Sequence, residues 1–198
     1  MSHQLETYEW DNVWWEQTEN TEAKRVLYIG DSISCGIRHL ATKLSENAML
    51  FDGFGTSKAP DNPWFVDSLR LCLNQQTKRD AVLFNNGLHG FHMSTSEYEL
   101  GCRNLLLFLK EQVNEPIIVV LSTNVRNDPE SQKIVDERNA ALLRITEDLK
   151  LPVIDLASKA LEYDDLHLAD NIHFCEEGYT RLAEYLVESL KSVLKEEK

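Results

Sequence analysis

Five short, nearly unbroken apolar runs recur along the chain, over residues 25–29, 49–52, 81–85, 116–122 and 152–156. A strand with one face in water alternates apolar and polar residues, whereas a run that is apolar throughout suits a strand covered on both faces. Between these runs, apolar residues return every three or four positions over 35–46, 63–75, 96–113, 129–149 and 176–194, which is the period of a helix. Pro63 and Pro129 each follow close behind an Asp or Asn and suit a first helical turn, where a missing N–H leaves no bond unmade. Parallel strands need crossover connections, and these place helices on both faces of the sheet. The pattern therefore predicts a three-layer α/β/α sandwich around a five-stranded parallel sheet. In such a sheet, ligands bind beyond the carboxyl ends of the strands.

A chain of 198 residues is long enough to bury one core, and no repeat, low-complexity tract or Gly/Ser linker offers a domain boundary. Residues 25–198 are expected to form a single domain, with 191–198 as a charged, fraying helix end. Residues 1–24 are read as an aromatic and acidic extension packed on that domain. Trp10, Trp14 and Trp15 lie in it, and burial against a neighbouring element is a more common use of tryptophan than stacking on a sugar ring. Twenty basic against 33 acidic side chains give a formal net charge of −13, which repels phosphate backbones and anionic lipid surfaces. Neither nucleic acid nor a membrane is an expected partner. Met1 to Asn20 lacks the basic start and apolar core of a signal peptide, and no later run is long enough for a membrane span, so the expected location is the cytoplasm. Cys35, Cys72, Cys102 and Cys175 form no C-x-x-C pair and are expected to be reduced thiols.

The candidate chemistry lies just after the strands. Gly30-Asp31-Ser32 follows the first apolar run, on the turn into the first helix. There a serine hydroxyl sits at the ligand edge and its own N–H points from a helix start toward a developing oxyanion. The plain alternative is a strand exit with a helix cap. Near the far end of the chain, Asp170 and His173 stand three apart, a spacing that lets the carboxylate take the Nδ1 proton and leave Nε2 free to deprotonate a serine. Taken alone, such a pair is equally a surface turn capped by its Asp. The loop Asn85-Asn86-Gly87-Leu88-His89-Gly90 offers His89 or an asparagine as an oxyanion donor, and the stretch 52–57, read as a loop, offers backbone amides such as that of Gly55. Trp64 and His92 are candidates for walling the substrate site, with Asp31 as a further substrate-binding residue.

These blocks, in this order (Gly30-Asp31-Ser32, Gly55, Gly87-Leu88-His89 and Asp170-x-x-His173), resemble those of the SGNH hydrolases, the GDSL-like esterases and lipases. The resemblance runs from Arg25 to Tyr179. It implies a flavodoxin-like fold and hydrolysis of a carboxylic ester without a cofactor or metal, with a small-molecule or carbohydrate ester as substrate and a carbohydrate O-deacetylase as one form of the activity. By resemblance, Ser32 is the nucleophile, His173 the base and acid, Asp170 the orienting carboxylate, and the Ser32 and Gly55 amides are oxyanion donors. One block departs from the family: His89 stands where most members carry an asparagine donor. A histidine there is similar to that of plant polysaccharide O-acetyltransferases, which keeps acyl transfer open beside hydrolysis. A ligand-binding protein that has lost the chemistry is a third reading. A metal-dependent hydrolase built on His89, His92, His167, His173 and Asp170 is a fourth, although these residues match no metal-binding spacing.

Overall fold

In the computed structural model, which describes residues 5–196, one sheet runs in the strand order β1-β3-β2-β4-β5-β6. Its strands are β1 (Asp11–Trp14), β2 (Lys24–Gly30), β3 (Met49–Thr56), β4 (Ala81–Phe84), β5 (Ile117–Val120) and β6 (Val153–Ile154). β2 to β6 pair in parallel, and β1 pairs antiparallel to β3. The helices are α1 (Ser32–Leu44), α2 (Phe65–Gln75), α3 (Thr95–Gln112), α4 (Pro129–Leu149), α5 (Leu156–Leu161) and α6 (Glu176–Glu196), with a 3-10 turn over Asp164–Leu166. Residues 1–4 and 197–198, the outer ends of the expected extension and of the fraying helix, lie outside the described residues.

Alternation along each strand produces the layers. Val26, Tyr28, Phe51, Leu83, Ile118 and Val120 pack with Ile37 and Ala41 of α1 and Leu182, Leu186 and Leu190 of α6. Their neighbours Leu27, Ile29, Phe54, Val82, Phe84 and Val119 point the other way, onto Leu69 of α2, Leu105 and Leu109 of α3 and Leu142 and Ile145 of α4. Because successive side chains leave a strand on opposite faces, an unbroken apolar run feeds two cores at once.

The structure departs from the sequence reading at several points. The sheet has a sixth strand, β1, drawn from the extension. All four of its residues are exposed, so no apolar run marks it. It is held by polar bonds instead: the Ser57 N–H donates to the Trp10 carbonyl at 3.1 Å, Arg38 to Asn12 Oδ1 at 2.6 Å, and Lys58 to Asp11 Oδ1 at 2.7 Å. β3 continues to Thr56 through a stretch whose glycines read as a loop. Its Asp52 is buried, yet accepts two bonds from Arg25 Nη1 at 2.7 and 2.9 Å, which makes a charged residue tolerable inside the sheet. Pro129 opens α4 behind an Asp128 cap, but α2 starts at Phe65, two residues past Pro63. There Asn62 Oδ1 accepts from the Trp64 N–H at 3.0 Å and turns the chain into the helix.

Candidate active site

β2 ends at Gly30, and Asp31 caps α1 by accepting the Ile33 N–H at 3.0 Å, while the Ser34 hydroxyl donates to the Asp31 carbonyl at 2.6 Å. Ser32 is therefore the first residue of the helix, and its N–H belongs to the turn whose amides have no intrahelical acceptor. Across from it runs the segment between the 3-10 turn and α6. The Arg126 N–H donates to the Asn171 carbonyl at 2.8 Å and the Leu168 N–H to the His173 carbonyl at 2.7 Å, while the His167 ring lies 4.0 Å from that of Phe174. Asn171 takes the left-handed conformation, φ 62°, which asparagine adopts more readily than most residues.

That turn lets Asp170 Oδ1 accept the N–H groups of Ile172 and His173 at 3.0 and 2.9 Å, which leaves Oδ2 facing His173 Nδ1 at 2.8 Å. His173 Nε2 then lies 2.7 Å from Ser32 Oγ, across 141 residues of sequence. Desolvation pushes the Asp170 carboxyl upward, but the two amides and the imidazole outweigh it and bring its pKa down to about 2. An ionised carboxylate can only accept, so Nδ1 carries a proton, and in the neutral ring it is the bare Nε2 that faces the serine hydroxyl. A hydroxyl aligned with a bare imidazole nitrogen, itself oriented by a carboxylate, can be deprotonated as it attacks an electrophile.

No protein-family model matches the chain, and no curated protein does. Solved structures do. The chain is similar to a member of the lipolytic G-D-S-L family from Veillonella parvula, at 17% identity over 85% of this chain and 99% of that one, with a TM-score of 0.70. A lipase/acylhydrolase from Enterococcus faecalis matches at 20% identity over 85% and 96% of the two chains, with a TM-score of 0.67. An acetylxylan esterase from Geobacillus stearothermophilus, solved as a catalytic mutant, matches at 16% identity over 84% and 94%, with a TM-score of 0.62. The fold is that of the SGNH hydrolases.

On this SGNH fold the other predicted site residues are placed unevenly. His89 lies in the loop after β4, its Nδ1 3.0 Å from Glu6 Oε2 and its ring edge-on to Trp10 at 6.0 Å between centroids. Glu6 Oε1 also accepts the Gly90 N–H at 2.9 Å. Gly90 has φ +68°, and a Cβ on it would come within 2.3 Å of the Ala59 Cβ, so the loop closes only with glycine there. The asparagines of this loop are engaged elsewhere: Asn85 Nδ2 donates to the Val120 carbonyl at 2.9 Å, and Asn86 Nδ2 to the Lys58 carbonyl at 2.9 Å. Gly55 is not a loop residue as expected. It lies within β3, in register with Asn12 of β1 and Gly30 of β2, so its N–H is directed along the sheet toward a neighbouring strand. Its missing side chain makes room for Cys35, whose Sγ would lie 2.3 Å from a Cβ there.

Asp31 is only 1% exposed and acts as a cap; its second oxygen has no hydrogen-bond partner among the described residues. Burial raises its pKa, while the nearby His89 and His173 favour its ionised form. Trp64 is 54% exposed just before α2, and His92 Nε2 faces Asp61 Oδ2 at 2.8 Å. The four histidines of the metal reading thus have separate surroundings, since His167 lies between the Asp164 and Asn124 carbonyls. Among the described residues no three His, Cys, Asp or Glu side chains converge, and no helix is long and apolar enough to cross a membrane. All four cysteines are free thiols.

Two functional candidates escape the sequence reading. Arg138, 1% exposed, donates to the carbonyls of Gly87, His89 and Gly90 at 2.8, 2.7 and 2.5 Å, and so fixes the curvature of the His89 loop. Its guanidinium also lies over the rings of Phe91 and Tyr98, at 4.9 and 4.7 Å. The signal for it is present in the sequence: an arginine on the apolar stripe Val135, Leu142, Ile145 of α4 needs acceptors in the core. Glu6 is the second, and no local spacing points to it.

Proposed function

We propose that the protein is a serine hydrolase that cleaves a carboxylic ester, with Ser32, His173 and Asp170 as its catalytic triad. The observation that carries the reading is the unbroken chain Asp170 Oδ2, His173 Nδ1, His173 Nε2, Ser32 Oγ, at 2.8 and 2.7 Å, at the carboxyl edge of a parallel sheet. Ser32 Oγ attacks the acyl carbonyl as its proton passes to His173 Nε2, and the carbonyl oxygen becomes an oxyanion facing the Ser32 N–H and His89. His173 then returns the proton to the leaving alcohol, and the acyl group stays on Ser32. Water, deprotonated in turn by His173, releases the carboxylic acid and restores the serine.

The similarity to an acetylxylan esterase supports an acetylated carbohydrate as the substrate class. In the full chain, Ser32→Ala should lower kcat on p-nitrophenyl acetate by a factor on the order of 10⁶, with an unchanged circular dichroism spectrum. It should also abolish labelling by a fluorophosphonate, which needs an activated serine. Retained turnover, or labelling of the alanine variant, would remove Ser32 from the mechanism. Acetate release from acetylated xylo-oligosaccharides tests the substrate class, and no release beside active turnover of the p-nitrophenyl ester would reject it.

A further inference from the structure

We infer that Glu6 is a positioning residue that makes His89 an oxyanion donor only in its doubly protonated, imidazolium form. The inference rests on the reading of Ser32 as nucleophile and deepens it. It starts from the contacts of one carboxylate. Glu6 Oε1 and Oε2 lie 3.1 and 3.0 Å from His89 Nδ1, and Oε1 also accepts the Gly90 N–H at 2.9 Å. A carboxylate has no hydrogen to give, so the ring nitrogen facing it must be the one that carries hydrogen. In a neutral ring the second nitrogen, Nε2, is then bare and presents a lone pair. A lone pair repels a developing oxyanion, and only the imidazolium presents an N–H there.

The ring lies in the loop after β4, the strand paired with β2, at the end of the sheet where Ser32 opens α1. His89 and His173 both act electrostatically on Asp31, the residue before Ser32. Trp10 bridges from the edge of His89 to Gly55, where it and Cys35 of the first turn of α1 fill the space beside the missing side chain. The loop cannot swing away easily, because Arg138 holds the carbonyls on both sides of the ring. Among the described residues, Glu6 from the segment before β1 faces the His89 ring, Arg138 from α4 holds its backbone carbonyl, and Asp31 at the start of α1 feels its charge. The two histidines of the site are therefore needed in opposite states, His173 neutral and His89 charged.

Two measurements on the full-length protein test this. The first does not depend on activity. Imidazole ¹⁵N shifts followed through a pH titration should show neutral His89 with its hydrogen on Nδ1 and a bare Nε2, and a neutral ring protonated on Nε2 would overturn the inference. The second is the pH profile of kcat/KM on p-nitrophenyl acetate. It should fall by about 10²-fold over the pH interval in which the ¹⁵N shifts show His89 losing its proton. His89→Asn supplies an amide N–H at every pH, and its profile should stay within about twofold across the alkaline range. Glu6→Gln, with its oxygen kept on the Gly90 amide, turns an N–H toward Nδ1 and moves the ring hydrogen to Nε2, so its alkaline fall should also vanish. An alkaline fall that persists in His89→Asn, or a Glu6→Gln profile that matches the native one, would overturn the inference. A protein whose Ser32 takes no fluorophosphonate would instead overturn the hydrolase reading, while the ¹⁵N shifts still decide the state of His89.

Discussion

Asp170 and His173 meet at 2.8 Å across three residues of one loop, whereas Glu6 and His89 meet at 3.0 Å across 83 residues of sequence. In both pairs the carboxylate faces Nδ1, so in both the neutral ring has a bare Nε2. What differs is the group at that second nitrogen. His173 Nε2 faces a serine hydroxyl at 2.7 Å, while His89 Nε2 has no hydrogen-bond partner among the described residues. On the proposed reading, one device, a carboxylate that dictates which nitrogen is bare, serves a base in one place and a conditional donor in another.

Removing the charge of the first pair should hurt most: Asp170→Asn offers an N–H to Nδ1, turns the hydrogen of His173 toward Ser32, and should lower kcat by about 10⁴-fold. Because Asp170 stays ionised down to a pH of about 2, the native loss of activity on acidification should follow protonation of His173 and not of this carboxylate. A variant within tenfold of native kcat, measured at saturating p-nitrophenyl acetate, would mean that the first pair does not set the base. For the second pair, His89→Ala should lower kcat by about 10²–10³-fold with little change in KM, since an oxyanion donor acts only in the transition state. Equal loss in binding would reassign His89 to substrate contact. The smallest effect is expected from the support under the second pair. Arg138→Met leaves buried carbonyls without donors and should lower urea-unfolding stability by about 3 kcal/mol. It should also reduce kcat more than Phe91→Leu does, and equal effects would show that the guanidinium supports the fold but not the loop.

Most of the fold is legible because it rests on local and periodic signals. Apolar runs such as 81–85 and 116–122 suit strands covered on both faces, and Asp128-Pro129 marks the start of α4 within its own few residues. Ser32 and the Asp170-His173 pair are legible for the same reason, as a strand end and a short spacing. β1 is not, because four exposed residues carry no pattern and the bonds that hold it come from Ser57, Arg38 and Lys58. The true course of β3 is hidden by its glycines, which read as a turn until the Cys35 side chain that fills the space beside Gly55 is seen. Glu6 is the extreme case: its meaning depends wholly on where the chain ends up in space.

β1 also covers the outer side of β3. β3 has eight buried residues, and along one side its only partner is a four-residue strand. If that strand detached, a long row of backbone N–H and C=O groups would lie open as a template for another chain, the usual beginning of edge-to-edge aggregation. β1 itself is short and carries Asp11 and Asn12, so the border it presents is a poor template. The segment that delivers Glu6 to the site is thus tethered by a strand that also keeps the sheet from growing.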